Sequence, residues 1–259
     1  MSEPFDVLAA LIRVDRTPNL AAAVRSLASA GVPVFPCELD GKRPLTRRGF
    51  LDASSEPAQV ATWWSRTPDA NIGIPTGAAS GVVVVDVDVH GPTDGRAAWH
   101  RASDAGLVDG AGLLVRTPTG GTHAYFPATP GVAQRSWQAA NAGVDFRGDG
   151  GYIIAPPSRV LRPGGVQAPY RLIVAGNTPM PVDAARLREF IDPRTPIPLD
   201  RASRSERRGS DAKVLAGWVA RRGEGERNRG LFWAACRLAE AGTPPDATLE
   251  APGPAAEHA

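Results

Sequence analysis

The stretch Gly81-Val82-Val83-Val84-Val85-Asp86-Val87-Asp88-Val89 constrains this chain more than any other. Its β-branched residues favour an extended backbone, and being apolar at both parities it must be covered on both faces. Such a strand belongs in the middle of a sheet, and this one ends in acid. Side chains alternate across a strand, so Asp86 and Asp88 project from one face, roughly 6.6 Å apart along it. Carboxylates so placed either ligate one or two hard divalent cations or end the strand in solvated acid, and the pair alone does not choose.

The segments around this strand read as an alternation of helices and strands. Leu20 to Ala30 carries apolar residues at helical spacing and stops at Gly31, a residue suited to a left-handed cap. Val32 to Pro36 reads as a short strand followed by the basic loop Gly41-Lys42-Arg43-Pro44, and Glu56 to Arg66, with Trp63 and Trp64, reads as a second helix. Strands are expected at Asn71 to Ile74, Leu113 to Arg116, Thr122 to Phe126, Val144 to Arg147 and Tyr152 to Ala155, and helices at Thr93 to Gly106 and Asp183 to Ile191. The irregular alternation, with strands close enough for hairpins, gives an α/β (α+β) core.

Beyond Ile191 the composition changes. We expect one large domain over residues 1–191, an Arg/Pro/Ser-rich linker over 192–210, a small helical segment over 211–243 and a flexible tail over 244–259. Net charge is only +2, but residues 186–229 hold 12 basic against 7 acidic side chains, so the charge concentrates there. That block reads either as a solvated linker or as a supplement to polyanion binding. No apolar run approaches the roughly 20 residues of a membrane helix, and the N-terminus lacks the basic start of a signal peptide. The expectation is a cytoplasmic protein without a membrane partner. Cys37 and Cys236 stand far apart in no CxxC pattern, which supports neither a disulfide framework nor a zinc site.

Two further motifs carry chemistry. Arg116-Thr117-Pro118-Thr119-Gly120-Gly121-Thr122-His123 is a hydroxyl-rich turn running into a strand, with no Walker loop anywhere in the chain. Its glycines permit close backbone approach to an anion, and Thr119, Thr122 and His123 offer donors to phosphate; equally, it reads as a hairpin turn with a structural histidine. In Val144-Asp145-Phe146-Arg147-Gly148-Asp149-Gly150-Gly151-Tyr152 the alternation puts Asp145 and Arg147 on one face. The glycine-rich turn is expected to bring a second strand back beside the first. Asp145 is either a third carboxylate for a metal site or half of a surface pair with Arg147.

The order of these pieces, strand-borne Asp86-Val87-Asp88, then Thr122-His123, then Val144-Asp145, resembles the primase-polymerase domain of the archaeo-eukaryotic primase superfamily. Lys42-Arg43-Pro44, Trp64, Asn71-Ile72-Gly73, Thr76-Gly77 and Pro156-Pro157-Ser158 add to the resemblance, which spans about residues 20–175. It implies an RRM-like catalytic sheet beside a smaller N-terminal αβ unit. It further implies that Asp86, Asp88 and Asp145 hold two Mg²⁺ or Mn²⁺ ions, with no zinc, and that His123 contacts the incoming triphosphate. Thr119, Gly121, Thr122, Arg147, Lys42 and Arg43 are the further nucleotide-binding candidates. The implied activity is template-dependent DNA primase/polymerase chemistry, nucleotidyl transfer from an NTP or dNTP to a 3′-hydroxyl during replication of a plasmid, phage or integrated element. Single-stranded DNA template and primer are the implied partners, with a separate replicative helicase as a further one. The other readings are a single-stranded nucleic-acid-binding replication accessory and another metal-dependent phosphotransfer enzyme.

Overall fold

The computed structural model describes residues 4–15, 17, 19–89, 94–162 and 164–193, together with Gly217, Val219, Trp233 and Ala234. The chain divides into two compact units, Met1–Arg194 and Thr195–Ala259. In the second unit the four described residues are helical, with Val219 and Ala234 buried. The expected linker beyond Pro193, helical segment and tail otherwise lie outside the described residues. No helix among the described residues is long and apolar enough to cross a membrane.

The first unit begins with helices α1 (Pro4–Val14) and α2 (Leu20–Ser29). Sequence reading did not anticipate α1, although Val7, Leu8, Leu11 and Val14 form a buried stripe at helical spacing. Asn19 caps α2 by accepting from the Ala22 N–H, and Gly31 follows with φ of 80° where the chain reverses. Strand β1 (Phe35–Cys37) leads through the Lys42 loop to a 3-10 turn, Gly49–Asp52, and then to α3 (Pro57–Arg66), which opens on proline. Strand β2 (Asn71–Pro75) pairs antiparallel with β1.

Strand β3 (Val82–Val87) is the anticipated central strand. The remaining elements are α4 (Arg96–Asp104), β4 (Leu113–Arg116), β5 (Thr122–Pro127), β6 (Trp137–Ala139), β7 (Val144–Arg147), β8 (Tyr152–Ile154), β9 (Arg159–Leu161), β10 (Gln167–Pro169), β11 (Arg171–Ala175) and α5 (Ala184–Ile191). Six strands form one sheet in the order β11-β4-β5-β3-β7-β6, and β1-β2-β8 form a second. Every pairing between named strands is antiparallel. The class is therefore α+β.

The parity of β3 sorts the core. Val83, Val85 and Val87 pack with Ala98 and Ala102 of α4, Phe146, and Leu187 of α5. Val82 and Val84 pack with Tyr125, the α1–α2 stripe and the small sheet. Asp86 has the parity of Val84, so it emerges on the face toward the small sheet, where the apolar row runs out.

The structure corrects one expectation. The glycine-rich turn after Arg147 does not fold β8 back beside β7. Both edges of β7 are taken, by β3 and by β6, and β8 crosses instead to pair with β2. The smaller αβ unit thus borrows a strand from late in the chain. The crossing is held by Asp149, whose carboxylate accepts from the Ala78 N–H and the Gln134 N–H, each at 2.8 Å. Thr76 Oγ1 donates to the Gly148 carbonyl at 2.7 Å. A side chain at Gly77 would collide with Asp149, so the Thr76-Gly77 pair serves as the seat of this crossing.

Asp149→Ala leaves two backbone donors without acceptors and is expected to cost about 1–3 kcal/mol in urea unfolding, with Asp149→Asn recovering part of the loss. Burial, with the Glu38 charge behind it, pushes the Cys37 thiol up to about 12. In a Cys236→Ser background, Cys37 is therefore expected to stay silent to a thiol reagent at neutral pH until the protein is unfolded.

Candidate active site

The acidic end of β3 is built by sheet register. Asp86 lies directly opposite His123 on β5 and directly opposite Asp145 on β7. Three strands thus bring residues separated by dozens of positions into one row, on the face toward the small sheet. His123 Nε2 lies 3.4 Å from Asp86 Oδ1. Arg147 Nη2 lies 2.8 Å from Asp145 Oδ2 and 3.8 Å from Asp86 Oδ2, so one guanidinium touches both carboxylates. Gln138 on β6 donates to Asp145 Oδ2 at 3.1 Å and extends the row to the sheet edge.

Part of this row opens into a cleft of about 250 Å³ between the two sheets, a cleft that Asp145 and Asp88 do not line. Asp86, His123 and Arg147 line it from the large sheet; Lys42, Phe50 and Tyr152 line it from the other side. Phe50 stacks on Tyr152 at 5.9 Å, and the Tyr170 ring lies 5.5 Å from His123. The loop that carries Lys42 is pinned at two adjacent carbonyls. Buried Asn71 donates through Nδ2 to the Gly41 carbonyl at 2.9 Å and to the Arg159 carbonyl at 2.6 Å, and Tyr152 OH donates to the Lys42 carbonyl at 3.3 Å. Ser158, fully buried, accepts from the Ile72 N–H at 2.8 Å. The Asn71 and Pro156-Pro157-Ser158 motifs thus fasten the small sheet behind the Lys42 loop.

Burial pushes the Asp86 carboxyl up, but His123, by charge and hydrogen bond, together with Arg147 and Lys42, outweighs it and holds the group below its ordinary value. The Tyr170 phenol is pushed up by burial first and then by Asp86 and Asp88, so both acids of the pair act on the same ring. His123 Nδ1 and the Tyr125 hydroxyl are buried without a hydrogen-bond partner among the described residues.

Asp88 lies one residue past the end of β3. Its N–H donates to the Gly143 carbonyl at 2.9 Å, and its carbonyl accepts from the Gly95 N–H at 2.7 Å. Gly95 and Gly143 approach too closely for a side chain at either position, which fixes the backbone at Asp88. The Thr119 turn stands at the same end of β3. There Thr119 Oγ1 is 3.2 Å from Thr117 Oγ1, and Gly121 packs against the Val87 carbonyl, leaving no room for a Cβ. The small residue at 121 therefore answers to strand packing. Thr119, Gly121 and Thr122 do not line the cleft, nor does Arg43, which is exposed and 4.0 Å from Glu38. Phe50, Tyr152, Tyr170 and Gln138 escaped sequence reading; only Tyr152, at the end of the glycine-rich turn, stood within a motif.

Among the described residues no group of three or more His, Cys, Asp or Glu side chains converges as a metal cluster. The donor chemistry nevertheless fits a hard divalent cation. Asp86 and Asp145 are opposed carboxylates on adjacent strands, and they already share one cationic group, the Arg147 guanidinium.

Comparison with known proteins adds the following. No curated protein matches the chain. A solved structure titled "Crystal structure of primase RepB'" is 13% identical, with 96% of this chain and 85% of that one covered, at a TM-score of 0.39. Residues 24–185 match the family described as bifunctional DNA primase/polymerase, N-terminal, a span that holds both sheets' site residues. On that match over more than half its length, the chain belongs to the bifunctional DNA primase/polymerase N-terminal family.

Proposed function

We propose that this protein is a template-dependent nucleotidyltransferase that makes or extends primers in DNA replication. The observation that carries the reading is the row His123-Asp86-Asp145, assembled by register, with Arg147 beside it and Lys42 facing Asp86 and His123 across one cleft. The Asp86 carboxylate in the cleft wall, with Asp145 opposite it on the next strand, repels a polyanionic substrate unless cations intervene, so a purely binding role leaves the pair without a purpose. Family membership supports the same chemistry.

In this reading Asp86 and Asp145, with Asp88 at the strand end, would hold Mg²⁺ or Mn²⁺. When bound, such ions polarise the reacting phosphate and lower the pKa of the attacking 3′-hydroxyl. Lys42 and Arg147 bind the nucleotide's phosphates from opposite walls, Arg147 turning from its carboxylate partners to do so. His123, beside Asp86 in the cleft wall, contacts the triphosphate through Nε2 when that atom leaves its carboxylate partner. Thr119, Gly121 and Thr122, beside Asp88, are assigned to the outer end of the phosphate chain. Catalysis is then positioning and electrostatics, without a covalent enzyme intermediate. The catalytic unit is placed within residues 1–191, with single-stranded DNA, primer and NTP or dNTP as substrates.

A second reading rests on Arg147. Because its guanidinium touches both carboxylates, the row also reads as a self-neutralised structural network in a protein that only grips single strands.

Incorporation of labelled nucleotide on a primed single-stranded template separates the two. Asp86→Ala and Asp145→Ala are expected to lower the rate at least about a hundredfold in Mg²⁺ or Mn²⁺ while far-UV circular dichroism stays unchanged. Equal incorporation by wild type and Asp86→Ala would sink the assignment. Calorimetric titration with Mn²⁺ should show binding that Asp86→Asn and Asp145→Asn abolish, and a chelator should stop incorporation. Asn71→Ala is expected to act through the Lys42 loop, raising KM for nucleotide in parallel with Lys42→Ala while kcat changes little. Since the Asp86 carboxyl is held below its ordinary value of 3.8, its stabilisation is complete above that pH and is lost as pH falls below it. Acid unfolding of Asp86→Asn should therefore be less steep below about pH 4 than that of the wild type.

A further inference from the structure

The 3-10 turn Gly49–Asp52 has two functions in the surface. Phe50 enters the catalytic cleft, whereas Arg48, Leu51 and Asp52 line a second depression of about 730 Å³. Pro36 of β1 and Trp63 and Arg66 of α3 line it from the other elements. The charges here are not balanced. Arg48 is neutralised by Asp52 at 2.7 Å, but Arg47 and Arg66, both exposed, make no ion pair among the described residues. Between them stands an apolar floor that is accessible. Leu45 is 46% and Leu51 67% exposed, and Trp63 is only half-buried. Its neighbour Trp64 is buried and spends its indole N–H on the Ala70 carbonyl, so the adjacent tryptophans divide between core and surface.

We infer that this groove is the seat of a single-stranded nucleic acid, the template strand on its way to the catalytic cleft. The inference rests on the proposed function for the direction of the strand, and on the groove itself for its chemistry. Three guanidiniums against the single Asp52 carboxylate suit phosphates, and an accessible indole flanked by leucines suits unstacked bases, a combination that a duplex with its bases hidden cannot use. Continuity selects the occupant: residues of one turn line both cavities, so a strand lying on Trp63 reaches the cleft by passing over Phe50.

Fluorescence anisotropy of a labelled 20-nucleotide oligodeoxythymidylate with the full chain tests this. Arg47→Ala combined with Arg66→Ala is expected to weaken binding about tenfold at about 100 mM salt and to lower the salt slope by about 1.4, the value for two single-strand phosphate contacts. Trp63→Ala should weaken binding by about tenfold or more, and Trp63→Phe should restore most of it, which a merely structural loss would not. Arg101→Ala, an exposed position on α4, should bind as wild type. Unchanged affinity and salt slope in the Arg47/Arg66 variant, or a wild type that binds no oligonucleotide, overturns the inference. Failure of the groove and failure of the enzyme reading stay distinguishable. If incorporation depends on Asp86 while the groove variants bind normally, the groove assignment falls and the enzyme stands; groove-dependent binding without any incorporation gives the converse.

Discussion

A carboxylate at the end of a buried strand, held between a histidine and an arginine, is the constraint on which the rest of this structure depends. Asp86 sits where β3 leaves the apolar core, and dehydration there disfavours its charge. His123 and Arg147 restore it, and each reaches Asp86 only because β5 and β7 pair with β3 in one particular register. A slip of one residue on either neighbour would turn its site residues to the opposite face of the sheet, into the apolar layer formed by α4 and α5. The same valines that make β3 a core strand therefore also hold the site in alignment.

The second sheet buries its apolar face in the core it shares with β3, and polar side chains fix its exact place. Asn71 spans the Gly41 and Arg159 backbones, Ser158 meets the Ile72 N–H, and Asp149 joins the loops at Ala78 and Gln134. Each bond links segments from distant parts of the chain, and most of them lie near or beneath the cleft. Lys42 faces Asp86 because its loop is tied in this way. Buried amides and hydroxyls used as fasteners set position more sharply than hydrophobic contact, since a donor accepts few geometries.

Much of the site was legible in the chain because alternation along a strand is a local property. Val82 to Val87 announced a central strand, and the parity of Asp86, Asp145 and Arg147 put each on a definite face. The turn Thr117 to Gly121 joins two paired strands as its sequence suggests, but the close approach of Gly121 to the Val87 carbonyl is visible only in three dimensions. The hairpin expected from Val144 to Ala155 failed for a related reason. Glycines signal that a chain can turn, and they carry no information about which strand edges are free.

What the sequence determined by itself is therefore the identity of the central strand, the faces of its neighbours, the α+β class and the family. Those follow from periodicity and from motif order, both of which are written along the chain. Only the tertiary structure decided that Asp86, His123 and Asp145 form one row, that Arg147 touches two carboxylates at once, and that Lys42, Phe50, Tyr152 and Tyr170 close the cleft around Asp86 and His123. Register between strands and the docking of one sheet on another depend on contacts between residues far apart in sequence, and no local pattern encodes the distance between two such groups.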